Sequence, residues 1–248
     1  MITDTLNILF LSTTAGLATG IGGFFAIIKR PGKKVLGLLM GLAAGVMITL
    51  AFLGLMVQAL DISGMSTAAV GFVVGSLSML VLDFVLPHKF FAVNEKGIID
   101  GRLLKTGILI AIGISLHNFP EGIAVASGYT YLPQLGLIVA VAMALHNIPE
   151  GIAISLPVYM SGASRLSAFK LALVSGLVEP FGALAASIFL QTSSSLVPYG
   201  LSFASGVMVF VTLDELVPVA HEHGHEHFTA FGMIMGCIIT FILLSLLN

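Results

Sequence analysis

Eight apolar segments dominate this sequence, and each is long enough to cross a hydrocarbon layer about 30 Å thick. They run roughly from Leu6 to Ile28, Val35 to Val57, Ala68 to Leu86, Leu103 to Ser127, Gln134 to Tyr159, Ala168 to Leu190, Val197 to Pro218 and Phe228 to Leu247. Lipid offers the backbone no hydrogen-bond partner, so apolar runs of this length read as helices that satisfy themselves. The expected fold class is therefore all-α, a polytopic membrane protein of eight transmembrane helices. Composition agrees: 57% of residues are hydrophobic and only 9% charged, with a mean hydropathy of +1.09. A chain of 248 residues filled by such segments has no room for a second globular domain, so residues 1–248 are expected to form one membrane domain. The single Cys237 excludes both a disulfide framework and a cysteine-based metal site. A net charge of −2 gives no electrostatic ground for binding nucleic acid. The N-terminus lacks the basic region of a cleavable signal, so the first apolar segment is expected to remain as a span.

Orientation follows from the basic residues. Lys29, Arg30, Lys33 and Lys34 lie between segments one and two; Lys89, Lys96 and Arg102 lie between three and four, with Lys105 at the start of four; Arg165 lies between five and six, with Lys170 at the start of six. That accounts for all ten Lys and Arg, on one side of an eight-span chain, and the positive-inside rule then places both termini outside the cytoplasm.

The segments also repeat. Gly16, Leu17 and Gly22 of segment one match Gly176, Leu177 and Gly182 of segment six; Ala43, Gly45, Val46 and Met47 match Ala204, Gly206, Val207 and Met208; Gly71 and Gly75 match Gly232 and Gly236. The offset stays at 160 or 161 residues throughout. Segments one to three thus resemble six to eight with the opposite direction through the membrane, flanking segments four and five. This 3+2+3 arrangement of inverted repeats is typical of secondary transporters with a site near the bilayer midplane.

Segments four and five carry the same polar word: His117-Asn118-Phe119-Pro120-Glu121-Gly122 and His146-Asn147-Ile148-Pro149-Glu150-Gly151. Ionisable residues inside membrane spans are rare and usually functional. At about 100° per residue, a glutamate four positions after a histidine falls about 40° round the helix, between that imidazole and the following amide. It can share a cation with either or bridge two. Pro120 and Pro149 have no N–H, which releases the carbonyls of Leu116 and Leu145 from the helix ladder. Glu179-Pro180 lies at the middle of segment six, so three helices bring carboxylates to one depth. Carboxylates left unpaired there would be very costly, and a shared cation removes that cost. Imidazole suits zinc and late first-row metals; carboxylate and amide oxygens broaden the choice.

Other polar residues are open to two readings each. Asp83 is a gate or exit ligand or a helix-end ion pair, with His88 nearby at the same inner end. Asp214 and Glu215 either reach for solvent and a loop lysine or touch a passing metal. Met47 is core or offers a soft sulfur, and Asp61 on the outer side attracts cations or is a solvated loop residue. The stretch from His221 to His227 holds four His and two Glu in seven residues, a low-complexity cation-binding tract on the cytoplasmic side.

These motifs resemble the ZIP (Zrt/Irt-like) metal transporters, in particular the bacterial ZupT-like branch. The resemblance is carried by Gly113-Ile114-Ser115-Leu116 leading into the first word, Ala144-Leu145 leading into the second, Ser175-Gly176-Leu177-Val178-Glu179-Pro180, and Asp214-Glu215-Leu216-Val217-Pro218. It covers essentially the whole chain. It implies eight spans with both termini outside, a plasma (inner) membrane location, and uptake of zinc, with Fe2+, Mn2+, Co2+ or Cd2+ as companions. It also implies two adjacent metal positions, one using His117, Glu121, His146 and Glu150, the other Asn118, Asn147 and Glu179, with Glu121 and Glu150 as bridges. Segments one, four, five and six would move as an elevator against the rest. The metal is cargo, and no prosthetic group is expected. The expected partners are divalent cations and the bilayer, not nucleic acid; a homodimer is admissible. In two places the chain departs from the branch: Gly54 stands where a glutamate of segment two is usual, and the His-rich tract lies between segments seven and eight instead of three and four.

Two other function classes would leave different marks in the sequence. An intramembrane metalloenzyme would carry His-Glu-x-x-His with the Glu as base; here each helix has one His, with its Glu four residues later. A metal sensor would rest on the His221 to His227 tract alone.

Overall fold

The computed structural model describes residues 2–29, 31–85, 101–223 and 225–246. Among these residues all regular structure is helical. The elements are α1 (Ile2–Ile28), α2 (Lys33–Thr49), a π-helical turn (Leu50–Met56), α3 (Val57–Val85), α4 (Gly101–Tyr131) and α5 (Pro133–Met160). Then follow α6 (Arg165–Gly176), α7 (Glu179–Thr192), a short 3-10 turn (Ser194–Leu196), α8 (Val197–Val211), a second π-helical turn (Thr212–Leu216), α9 (Val217–His223) and α10 (Glu226–Ser245).

Seven stretches of these helices are long and apolar enough to cross a membrane: Thr3–Ile28, Lys33–Leu82, Gly107–Tyr131, Pro133–Met160, Arg165–Leu190, Val197–Asp214 and Glu226–Ser245. The expected segments two and three run together here as one helical stretch of 50 residues. It is not straight: Gly64 has φ 75° and ψ 178°, outside the helical region. Only glycine adopts that conformation without strain, so the turn is written at this position.

Segment six, read as continuous, is two helices. Ser164 caps α6 by accepting a hydrogen bond from the Ser167 N–H, 3.0 Å away. The chain leaves the helix after Gly176 and re-enters at Glu179, with Pro180 in the first turn of α7. Proline has no N–H to give to a preceding turn but fits the start of a helix, where that N–H has no partner anyway. Pro120 and Pro149, by contrast, lie inside α4 and α5 without ending them.

Small residues set the packing. α1 lies on α5 and on the α6–α7 pair, α4 on α5 and α7, α2 on α10, and α3 on α8. At the α1–α6 crossing Gly16 and Gly176 are back to back, so a Cβ on either would strike the other's carbonyl oxygen. Gly22 and Gly151 close the α1–α5 contact in the same way against the carbonyls of Ile148 and Thr19, and Gly122 and Gly182 close α4 on α7 against Glu179 and Phe119. In a bilayer, where apolar contacts alone do not drive helices together, such close approach is what supplies dispersion attraction. The apolar core around Met47, Leu50, Val139, Met143, Leu201 and Met208 is fully buried, which places Met47 in packing.

Candidate metal centre

α4 and α5 lie side by side, and each presents its polar word to the other. His117, Asn118, Glu121, His146, Asn147, Glu150 and Glu179 are all 0–1% exposed. The pairing runs across the helices. His117 Nε2 lies 2.9 Å from Glu150 Oε1, and His146 Nε2 lies 2.7 Å from Glu121 Oε1. The contacts within a helix are longer: 3.2 Å for His117 to Glu121 and 3.9 Å for His146 to Glu150. One ligand atom from each of these four residues fits within 4.8 Å of all the others. The i, i+4 relation is a property of a single helix; this exchange of partners is not.

The imidazole of His146 is held from behind. Its Nδ1 lies 3.2 Å from the Ala142 carbonyl, one turn earlier on α5. A ring that donates its Nδ1–H to a carbonyl directs the Nε2 lone pair at the centre, the tautomer a metal ligand needs.

The asparagines connect α4 and α5 to the outer helices. Asn118 Nδ2 donates to the Ser175 carbonyl at 2.9 Å, where α6 is about to end. Asn147 Nδ2 donates to the Ala15 carbonyl of α1 at 2.9 Å and to Glu179 Oε2 at 3.0 Å. The helix break thus brings Glu179, the first residue of α7, to the same depth as the two words. Behind it, Ser115 donates to the Ala111 carbonyl at 2.7 Å and lies 3.0 Å from Ser175 Oγ, which fastens the end of α6 to α4.

Several polar atoms around this point are buried with no hydrogen-bond partner: Asn118 Oδ1, Glu121 Oε2, Asn147 Oδ1, Glu150 Oε2, Glu179 Oε1, His117 Nδ1 and Thr19 Oγ1. Buried polar atoms are nearly always paired, and a concentration of acceptors at one place is the arrangement that fits something positively charged. Imidazole nitrogens with carboxylate oxygens are the donor set of zinc and late first-row metals.

A protein-family model described as ZIP zinc transporter matches residues 94–244, more than half of the chain. The zinc transporter ZupT of Lysinibacillus sphaericus (strain C3-41) is 40% identical over 258 residues, spanning 96% of this chain and 96% of that protein. The chain belongs to the ZIP family. Other ZupT zinc transporters are similar to this ZIP chain over nearly all of both lengths: that of Chlorobaculum parvum (strain DSM 263 / NCIMB 8327) at 37% over 256 residues and that of Oceanobacillus iheyensis (strain DSM 14371 / CIP 107618 / JCM 11309 / KCTC 3954 / HTE831) at 37% over 266 residues. ZIP proteins are integral membrane transporters and not enzymes, which sets aside the metalloenzyme reading.

Among the described residues, the other polar candidates lie outside this buried cluster. Asp61 and Asp214 are exposed, and Gly54 lies in the first π-helical turn against Leu50, with Leu244 Cδ2 3.3 Å from where a Cβ would sit. His221, His225 and His227 are exposed around the α9–α10 junction, with the rings of His225 and His227 5.8 Å apart between centroids. His88, Gly224 and the side chains of Asp83, Glu215, Glu222 and His223 lie outside the described residues.

Proposed function

We propose that this chain carries zinc, with Fe2+, Mn2+, Co2+ and Cd2+ as companions, across the bacterial inner membrane into the cytoplasm through the centre between α4 and α5. The observation that carries the reading is the meeting of two imidazoles and two carboxylates, all buried, within 4.8 Å. A tetrahedral zinc with bonds of about 2.0–2.2 Å holds its ligand atoms about 3.3–3.6 Å apart. The cross-helix and within-helix separations of 2.7, 2.9, 3.2 and 3.9 Å straddle that range, so small side-chain shifts suffice to seat the ion. The first metal position is then His117, Glu121, His146 and Glu150. The second is Asn118, Asn147 and Glu179, bridged by Glu121 and Glu150. Each bridging carboxylate turns Oε1 to an imidazole and leaves Oε2 without a partner, as a bridge requires.

The architecture in this reading is eight spans in a 3+2+3 inverted repeat, residues 1–248 forming one transport domain. At 1.5 Å per residue a 50-residue helix would reach about 75 Å, over twice the hydrocarbon thickness, so Lys33–Leu82 counts as two crossings that turn at Gly64. The repeat is supported by contacts that come in pairs. Gly75 meets the Phe203 carbonyl as Gly236 meets that of Leu42, and Gly206 meets that of Phe72 as Gly45 meets that of Met233. In each pair the residues correspond at an offset of 161. The asparagine bonds to Ser175 and Ala15 correspond at 160. The two π-helical turns, a form often found at functional sites, also correspond. Lys29, Lys33, Lys34, Arg165 and Lys170 flank one end of the spans, which supports a cytoplasmic side there and termini outside.

Flux measured in proteoliposomes with an internal zinc indicator tests this. Saturable zinc entry is expected, competed by the companion metals; a protein that binds zinc but passes none would be a sensor, not a carrier. Histidine must be neutral and glutamate ionised to hold the ion, so zinc displaces protons from the site. Apparent KM is therefore expected to rise as pH falls, about tenfold per unit for each proton displaced. A KM that stays flat between mildly acidic and neutral pH would count against a His/Glu ligand set.

A further inference from the structure

Thr19 of α1 is fully buried, and its hydroxyl has no hydrogen-bond partner. Other helical hydroxyls, buried or exposed, behave differently. Ser12, Thr14, Thr130, Thr212 and Thr240 all return their hydroxyl proton to the carbonyl four residues back. For Thr19 that carbonyl is Ala15, which already takes the Asn147 amide at 2.9 Å in addition to its own helix bond. Each lone pair of the Ala15 carbonyl thus already has a donor before Thr19 could reach it. The amide that builds the candidate centre is thus what frees this hydroxyl.

Its position is specific. At the α1–α6 crossing, Thr19 Cβ and Oγ1 both lie 2.8 Å from where a Cβ on Gly176 would stand, next to Ser175, whose carbonyl holds Asn118. The other side of the same crossing is Glu179, whose Cβ lies 3.5 Å from where a Cβ on Gly16 would stand. Residues 19 and 179 correspond at the 160-residue offset that relates Gly16 to Gly176 and Ala15 to Ser175. Glu179 therefore completes the Asn147 side of the centre, and the residue in the equivalent place on the Asn118 side is Thr19.

We propose that the Thr19 hydroxyl is an oxygen ligand for the cation in transit, serving Asn118 as Glu179 serves Asn147. The two halves then differ by one charge. A carboxylate on one side attracts any divalent ion, while a neutral hydroxyl on the other adds an oxygen without adding charge. An added oxygen favours harder ions such as Mn2+ relative to zinc. Thr19 is in this sense a specificity-determining residue of the centre, and the inference rests on the site reading above.

The test uses the full-length protein in proteoliposomes with zinc alone, and then with Mn2+ as competitor. Thr19→Val keeps the shape and removes the hydroxyl; Thr19→Ser keeps the hydroxyl. Thr19→Val is expected to raise the zinc KM about fivefold at unchanged maximal rate and to weaken Mn2+ competition about tenfold, with Thr19→Ser close to wild type. The melting temperature of Thr19→Val should not fall, because the variant loses only an unpartnered polar atom. If Thr19→Val leaves both KM and Mn2+ competition within twofold of wild type, the hydroxyl is a spectator. If Thr19→Ser fails like Thr19→Val and both melt lower, the fit of the whole side chain at the Gly176 crossing is what matters, and the proposal is overturned. Glu121→Gln in the same vesicles separates the two levels: saturable flux through it would remove the site reading itself, whereas loss of flux there with a silent Thr19→Val removes Thr19 alone.

Discussion

Glu121→Ala is expected to abolish saturable zinc uptake while the protein still inserts and folds. Glu121 Oε1 lies 2.7 Å from His146 and 3.2 Å from His117, so this one carboxylate touches both imidazoles. Removing it takes away a ligand and the negative charge that offsets a divalent ion in a fully buried place. Disturbing groups that merely orient metal ligands lowers affinity by about 10- to 100-fold, so losing a ligand that serves two others should exceed about 100-fold. His146→Ala should have a similar effect, since the ring set by Ala142 delivers its Nε2 into the cluster. Zinc flux into proteoliposomes, normalised to inserted protein, is the measurement. Wild-type uptake from both variants would remove the assignment. Glu121→Gln adds a check against loss of fold, because it keeps the size and hydrogen-bonding capacity of the side chain while removing the charge.

Gly122→Ala is expected to have the second largest effect, through packing instead of chemistry. The added methyl would fall on the Glu179 carbonyl oxygen and lie within 2.5 Å of the Ala183 nitrogen, both backbone atoms of α7. Backbone cannot rotate out of the way as a flexible side chain does, so α7 must move off α4 and take Glu179 with it. Overpacking of a tight contact costs about 1–3 kcal/mol, and this case belongs at the upper end. A melting temperature several degrees lower and at least a tenfold loss of zinc flux should appear together. Gly151→Ala, which meets the Thr19 carbonyl on α1, should behave alike. Gly128→Ala, on the same helix but with its nearest neighbour 3.4 Å away, is the control. It should be neutral or slightly stabilising, as alanine favours a helix over glycine by about 1 kcal/mol. Equal melting temperatures for Gly122→Ala and Gly128→Ala would refute the packing account.

The parts of this protein legible in the sequence are those whose cause is local. Helical spans follow from apolar runs that must satisfy their own backbone in lipid. The two polar words could be singled out because ionisable residues at that depth are rare, and the approach of Glu121 to His117 follows from helix geometry alone. The 160-residue offset was also readable and pairs Thr19 with Glu179, yet a threonine in an apolar helix gives no signal, since its hydroxyl ordinarily bonds back one turn.

What only the tertiary structure decided depends on how helices cross. Whether His117 would sit nearer Glu121 or Glu150 is not a property of either helix; the α4–α5 crossing selects the partner at 2.9 Å over the one at 3.2 Å. The Ala15 carbonyl receives the Asn147 amide because Gly22 and Gly151 let α1 and α5 approach so closely, and that amide in turn leaves Thr19 unpartnered. A periodic pattern reports which face of a helix is polar; the distance between two such faces is set by the residues at the crossing, far away along the chain.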